Sequence, residues 1–380
     1  MLYYLSQYLL QVTAHTNWAE PLSPLRVFRY ITFRSAGAAV TALLLSWLLG
    51  PKMIVWLKQI KFGQEYADKA ETSGVAHVSV KRGTPTMGGL LIILTLTVTT
   101  LLWAEWNTQV QLLLVVVLGL CALGFHDDYT KITQGNAGGA KSRTKLVVQF
   151  ALALGVGIYL WFVPATSKLI TDIMVPFYKH PVATDAAGLG LLLAVLTIVG
   201  SSNAVNLTDG LDGLAIGCTL IVSFAFLILT YLAGNFKTAG YLQIPYVPGA
   251  GELTVFCAAM IGAGLGFLWY NCHPAQMFMG DTGSLALGGA LGVIAVLIHQ
   301  PFVLFIAGGV FVLEAVSVML QTGWFKYTRK RTGTGRRIFL MAPLHHHFQK
   351  KNWHENQVVV RFYILCFLFV VVALSTLKIR

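Results

Sequence analysis

Charge is what this sequence has least of. Only 11% of its 380 residues are charged, against roughly 25% in an ordinary soluble domain, and just 15 are acidic. Apolar residues reach 56%, and mean hydropathy is +0.68. That balance excludes a disordered chain and a soluble globular domain. Cysteine is also scarce. Cys121, Cys218, Cys257 and Cys366 lie inside apolar runs and Cys272 just after one, which argues against a disulfide framework. The apolar runs do not alternate with polar residues, so barrel strands fit poorly. No positive n-region opens the chain, so no cleavable signal peptide is expected. An all-α integral membrane protein remains.

A spanning helix needs roughly 20 mostly apolar residues. Ten runs qualify: about 35–57, 84–103, 110–125, 146–164, 186–204, 213–233, 252–270, 283–299, 302–320 and 358–377. The first 13 residues are apolar but too short to span, and suit the interface. No second domain and no strong internal repeat is visible, so residues 1–380 read as one polytopic unit. The loops 51–83, 126–145, 203–212, 271–282 and 321–356 fall on one side and hold 18 of the 27 Lys and Arg. The positive-inside rule places them in the cytoplasm, although Arg26, Arg29 and Arg34 pull the other way. The basic excess is explained by these loops, and no nucleic-acid partner is expected.

The scarce acids sort to the same side. Asp127, Asp128, Asp209, Asp212 and Asp281 all sit in three of those loops, at the ends of apolar spans. Ionisable groups there are costly to desolvate and mark function. Asp127 and Asp128 are adjacent, and Lys131 follows one helical turn later. Like charges so close favour a shared cation, a divalent ion or a phosphate held beside them. Asn203, Asn206, Asp209 and Asp212 recur every third residue, which places them on one slowly drifting helical face. A calcium loop starting at Asp209 would need Glu at its twelfth position, which is Leu220. Asp281 lies between Gly280 and Thr282, next to a helix start, where capping or a phosphate cradle are both open.

Three consecutive histidines, His345, His346 and His347, point in different directions on any regular backbone. Contact of one or two of them with a phosphate or sugar fits better than a shared zinc ion. Lys81 and Arg82 precede a Gly/Thr-rich entry to a span, without P-loop spacing. Glu314 lies within a span, either as a buried functional group or satisfied by a neighbouring helix. Arg329–Arg331 with Arg336 and Arg337 form a basic surface suited to anionic lipid heads. A transporter would carry its acids near the midplane, whereas these cluster at span ends. Carboxylates, cations and glycine turns at a membrane face are the groups needed to hold a magnesium diphosphate. The loops themselves would bind the nucleotide, with Phe278 able to stack on a base.

These motifs resemble the polyprenyl-phosphate N-acetylhexosamine-1-phosphate transferase superfamily. The Asp127-Asp128 pair, the block Asn206–Ala215 and Phe278–Ser284 are shared broadly within it. The segments Pro85–Gly89 and Met341–His347 are similar to its phospho-N-acetylmuramoyl-pentapeptide-transferase branch. The resemblance runs from Lys81 to the last span. It implies a ten-span fold with the active site at the cytoplasmic face of the bacterial inner membrane, and a homodimer. It implies a Mg²⁺-dependent reaction in which UDP-N-acetylmuramoyl-pentapeptide and undecaprenyl phosphate give lipid I and UMP, the first membrane step of peptidoglycan synthesis. It further implies Asp281 and Asp128 as metal ligands, Asp127 at the lipid phosphate, and Asp212, Lys81 and Phe278 at the nucleoside. Asn206, Asp209 and Thr86 match the sugar–phosphate region, and His345 a required histidine. Arg143 stands where many relatives carry Lys.

Overall fold

The computed structural model describes residues 1–60, 83–133, 139 and 141–377. Lys81, and with it most of the 51–83 loop, lies outside the described residues. Each apolar run forms a helix, because only a backbone bonded within its own segment is stable in hydrocarbon. After a short α1 (Leu2–Val12) come α2 (Ile31–Gln59), α3 (Gly89–Trp103), α4 (Thr108–Thr133) and α5 (Ser142–Phe162). They are followed by α6 (Ala187–Thr208), α7 (Leu214–Ala233), α8 (Gly251–Asn271) and α9 (Gly280–Leu297). The chain ends with α10 (Pro301–Ala307), α11 (Gly309–Thr332), α12 (Leu344–Lys350) and α13 (Glu355–Ser375).

Among the described residues, eight of these helices are long and apolar enough to cross a membrane, against the ten runs read from the sequence. The run 302–320 breaks at Gly308, where α10 and α11 meet at 82°; taken as one bent span it would be a ninth. α3 has 15 residues, about 22 Å at 1.5 Å per residue, short of the roughly 30 Å hydrocarbon core. Its run loses its first turn to the Thr84–Gly88 segment, which is pinned elsewhere. By contrast the run 110–125 is part of a 26-residue helix, extended by the polar turns that end in Thr133.

α9 is the centre of the bundle. It is buried along almost its whole length, and it packs on α4 and α6. α8 packs against α2 and α7. The N-terminus of α9 and the C-termini of α4 and α6 therefore meet at one end of the molecule. At the other end Arg34 and Glu252 form a buried bidentate pair, with Nη1 to Oε2 at 2.5 Å and Nη2 to Oε1 at 2.6 Å. There the N-terminal ammonium of α1 donates to the carbonyls of Leu101 and Leu102.

Candidate active site

The last turns of α4 carry Asp127, Asp128 and Lys131 on one face, as spacings of three and four require. α4 reaches α9 closely because residue 124 is glycine. A Cβ there would stand 2.2 Å from the carbonyl oxygen of Asp281. Asp128 is thereby driven into the start of α9 and serves as its cap. Its Oδ2 accepts from the Thr282 amide (3.0 Å) and hydroxyl (2.8 Å), and its Oδ1 from the Asp281 amide (3.3 Å). The first-turn amides of a helix have no partner of their own and favour an anion, so a carboxylate from a neighbouring helix suits the position. Gly280 completes the turn at φ +73°, a conformation that favours glycine.

Carboxylate oxygens of Asp127, Asp128 and Asp281 lie within 4.8 Å of one another. Two ammonium groups stand among them. Lys131 Nζ is 2.5 Å from Asp127 Oδ2 and 3.2 Å from Asp281 Oδ2. Lys145 Nζ, from the first turns of α5, is 2.7 Å and 2.6 Å from the same two oxygens. Asn206 Nδ2 donates to the remaining Asp281 oxygen at 2.9 Å and to Ser284 Oγ at 2.8 Å. Every oxygen of Asp281 thus has a donor. Hard carboxylate oxygens at this spacing form a donor set that fits Mg²⁺. Thr86 Oγ1 is buried beside Gly280 and has no hydrogen-bond partner among the described residues, as a group awaiting a ligand would.

Asp209 is half-buried at the edge of this cluster. Burial, and then the charges of Asp281 and Asp128, push its carboxyl up to about 8; a bond from the Gly280 amide offsets only part. The expected shared face of Asn203, Asn206, Asp209 and Asp212 does not form, because α6 ends at Thr208. Asn203 turns instead toward α5, donating to Gln149 Oε1 at 2.8 Å. Asp212 belongs to a neighbouring group. Its Oδ2 lies 3.0 Å from His273 Nδ1 and accepts from the Ala275 amide at 3.2 Å. Glu355 joins them, accepting from the Asp212 amide at 2.9 Å.

Phe278 is half-buried, between His273 and Asp281 in the chain. Its amide donates to Pro85 O and its carbonyl accepts from the Gly88 amide, both at 2.8 Å. The three histidines diverge. His345 faces Glu314, His346 Nδ1 lies 2.8 Å from Gln349 Oε1 one turn on in α12, and His347 Nδ1 accepts from the Leu340 amide at 3.1 Å. Arg143 is exposed and makes no contact with the three carboxylates; Lys145, two residues on and half a helical turn away, holds that place. Sequence reasoning passed over Lys145 because a lysine in a basic loop looks like ordinary flanking charge. His273 and Glu355 were missed as well. Their only signal is polar placement at the two ends of apolar spans.

Comparison with known proteins adds a second line of evidence. Residues 110–299 match the profile of glycosyl transferase family 4. Residues 81–93 match a phospho-N-acetylmuramoyl-pentapeptide-transferase signature. The chain is 48% identical over 382 residues to the phospho-N-acetylmuramoyl-pentapeptide-transferase of Methylacidiphilum infernorum, covering all of both chains. It is 50% identical over 367 residues to that of Neisseria meningitidis serogroup C, covering 96% of this chain and 98% of the other. Syntrophus aciditrophicus has a relative of the same name at 49% identity over 367 residues. Full-length identity at this level, together with a carboxylate cluster built from the matched segments, places the chain in the phospho-N-acetylmuramoyl-pentapeptide-transferase family.

Proposed function

We propose that this protein transfers phospho-N-acetylmuramoyl-pentapeptide from its UDP donor to undecaprenyl phosphate, giving lipid I and UMP at the cytoplasmic face of the bacterial inner membrane. The observation that carries the reading is the trio Asp127, Asp128 and Asp281 with two lysines among them, at the end of the bundle where four helix termini meet. Phosphoryl transfer asks mainly for positioning and charge neutralisation, and this arrangement supplies both.

An oxygen of the lipid phosphate attacks the sugar-linked phosphorus. A new P–O–P bond forms, the bond to the inner phosphate breaks, and UMP leaves with the electron pair. Lys131 and Lys145 carry the cations that meet the diphosphate oxygens. Asp281 and Asp128 would hold Mg²⁺, which neutralises charge on those oxygens when bound. Thr86 and Asn206 offer hydrogen bonds to the sugar–phosphate region, with Asp209 beside them. Asp212, Phe278 and Lys81 take the nucleoside, Phe278 lying against the uracil. His345 is required, and His346 and His347 border the site, as does Asn203.

Asp127 orients the acceptor and does not need to act as a base. One of its oxygens, Oδ2, is already held by both ammonium groups, which favour the ionised carboxylate. A phosphate monoester is substantially dianionic near neutrality, with a second pKa of about 6. Residues 1–380 work as one polytopic unit, and the protein acts as a homodimer.

The test is UMP release by the purified protein in detergent with undecaprenyl phosphate and Mg²⁺. Release from UDP-N-acetylmuramoyl-pentapeptide that needs both lipid and metal, and is lost in Asp281→Asn, is the expected result. Release only from UDP-N-acetylglucosamine would move the protein to a sister activity and overturn the assignment.

A further inference from the structure

Glu314 is an acid within a span, fully buried in α11. It stands apart from the carboxylate cluster, and the mechanism above makes no use of it. A buried carboxylate has to be met by donors or by favourable charge, and here one residue stands against both of its oxygens. The His345 amide donates to Glu314 Oε1 at 3.2 Å, and Glu314 Oε2 lies 3.2 Å from His345 Nδ1. His345 is itself 1% exposed.

Two consequences follow from elementary chemistry. A lone pair on Nδ1 facing Oε2 would be repelled, so Nδ1 carries the hydrogen. The bond to the backbone amide fixes the carboxylate's own rotation, so the ring plane is fixed with it. The far nitrogen is then directed across the interface. Nε2 points at Gly210, where a Cβ would stand only 2.2 Å from it. Both ring nitrogens are buried and neither has an aligned hydrogen-bond partner among the described residues, so Nδ1 meets Oε2 through charge at close range. Gly210 lies in the turn between Asp209 and Asp212, whose side chains face the two groups of the site.

We infer that Glu314 is a positioning residue for the transfer reaction: it holds His345 as the Nδ1–H tautomer, with Nε2 aimed at the Asp209–Gly210 turn. The inference rests on the transferase reading for its kinetic consequence but not for the tautomer. A carboxylate that selects a histidine tautomer is a recurrent device, and behind metal-bound histidines its loss costs about 10- to 100-fold.

The experiment uses the full-length protein in detergent and three readouts: UMP release, thermal midpoint, and ¹⁵N NMR of histidine-labelled protein, with His345 assigned by its loss in His345→Gln. Glu314→Gln is the informative change. Its single carbonyl can accept from the His345 amide, and its NH₂ then faces Nδ1 and favours the opposite tautomer. The expected result is a His345 signal that switches from Nδ1–H to Nε2–H. It is accompanied by a fall of about 50-fold in kcat, with KM for the donor within about threefold and the midpoint nearly unchanged. Glu314→Asp keeps both oxygens, so it retains the wild-type tautomer and exceeds Glu314→Gln in kcat. An unchanged tautomer in Glu314→Gln, or kcat above half of wild type, overturns the inference. If Glu314→Gln does not fold, Glu314→Asp decides, because loss of the Nδ1–H tautomer there has the same force. Absence of UMP release by the wild type would sink the transferase reading and leave the tautomer measurement standing.

Discussion

Lys131 and Lys145 meet on the same oxygens of Asp127 and Asp281, while Arg143 points into solvent. The contrast is testable. Lys145→Gln should lower kcat for UMP release by about 100-fold, comparable to losing one charge-stabilising donor. Arg143→Gln should stay within about threefold of wild type. Equal losses at the two positions would contradict the geometry. Asp209 allows a second test. Its folded carboxyl is raised to about 8 from an ordinary 3.8, so the folded state holds a proton that the unfolded state has released. Stability therefore falls as pH rises from about 4 to about 8. In metal-free protein the thermal midpoint of Asp209→Asn should decline less over that interval than that of wild type; parallel curves would remove Asp209 as the cause. The acids of this site were legible in the sequence because a charge at the end of an apolar run stands out against the cost of burying it. The lysines that answer them were not, since basic residues are common in such loops and only the fold tells which one turns inward.

At the scale of elements, the apolar runs were readable and their ends were not. Desolvation of the backbone dictates a helix wherever about 20 apolar residues run together, but function sets where that helix stops. α4 runs on past its apolar stretch because its final turns carry Asp127, Asp128 and Lys131 to the site. α3 starts late because the amides of Gly88 and Gly89 are committed to the carbonyls of Phe278 and Met279. The bend at Gly308 has no signature in hydropathy. The approach of α4 to α9 has a direct consequence. Gly124→Ala inserts a carbon against the backbone of α9, where no side chain can move aside. We expect destabilisation of roughly 1–3 kcal/mol, read as a lower thermal midpoint. Specific activity should fall with it, although Gly124 contributes no reacting group. A variant with wild-type midpoint and activity would show that the two helices separate freely.

Over the whole molecule, the two ends do different work. The pair Arg34–Glu252 lies at the end away from the site, and Glu252 also accepts from the Glu105 amide at 2.8 Å. Removing one member of a buried pair strands the other charge. Arg34→Leu should cost about 3–5 kcal/mol, and Arg34→Leu with Glu252→Met should recover much of it, with kcat of the folded protein unchanged. A loss of kcat in the stable double variant would link the far end to catalysis. The cysteines offer a test of orientation. Four are buried and Cys272 is exposed, next to His273 at the site end. An impermeant maleimide should label Cys272 alone, from inverted membrane vesicles and not from right-side-out ones, and the UDP donor should slow labelling.

The contact at Gly124 also bears on how variant libraries of this protein are interpreted. Two main chains touch there with nothing between them, so tolerance to substitution reflects interhelical distance and not chemistry. A screen scored on product formation alone would rank Gly124 with the carboxylates of the site, although it has no side chain with which to touch a ligand. Heat resistance measured on the same clones would sort spacers from reactants.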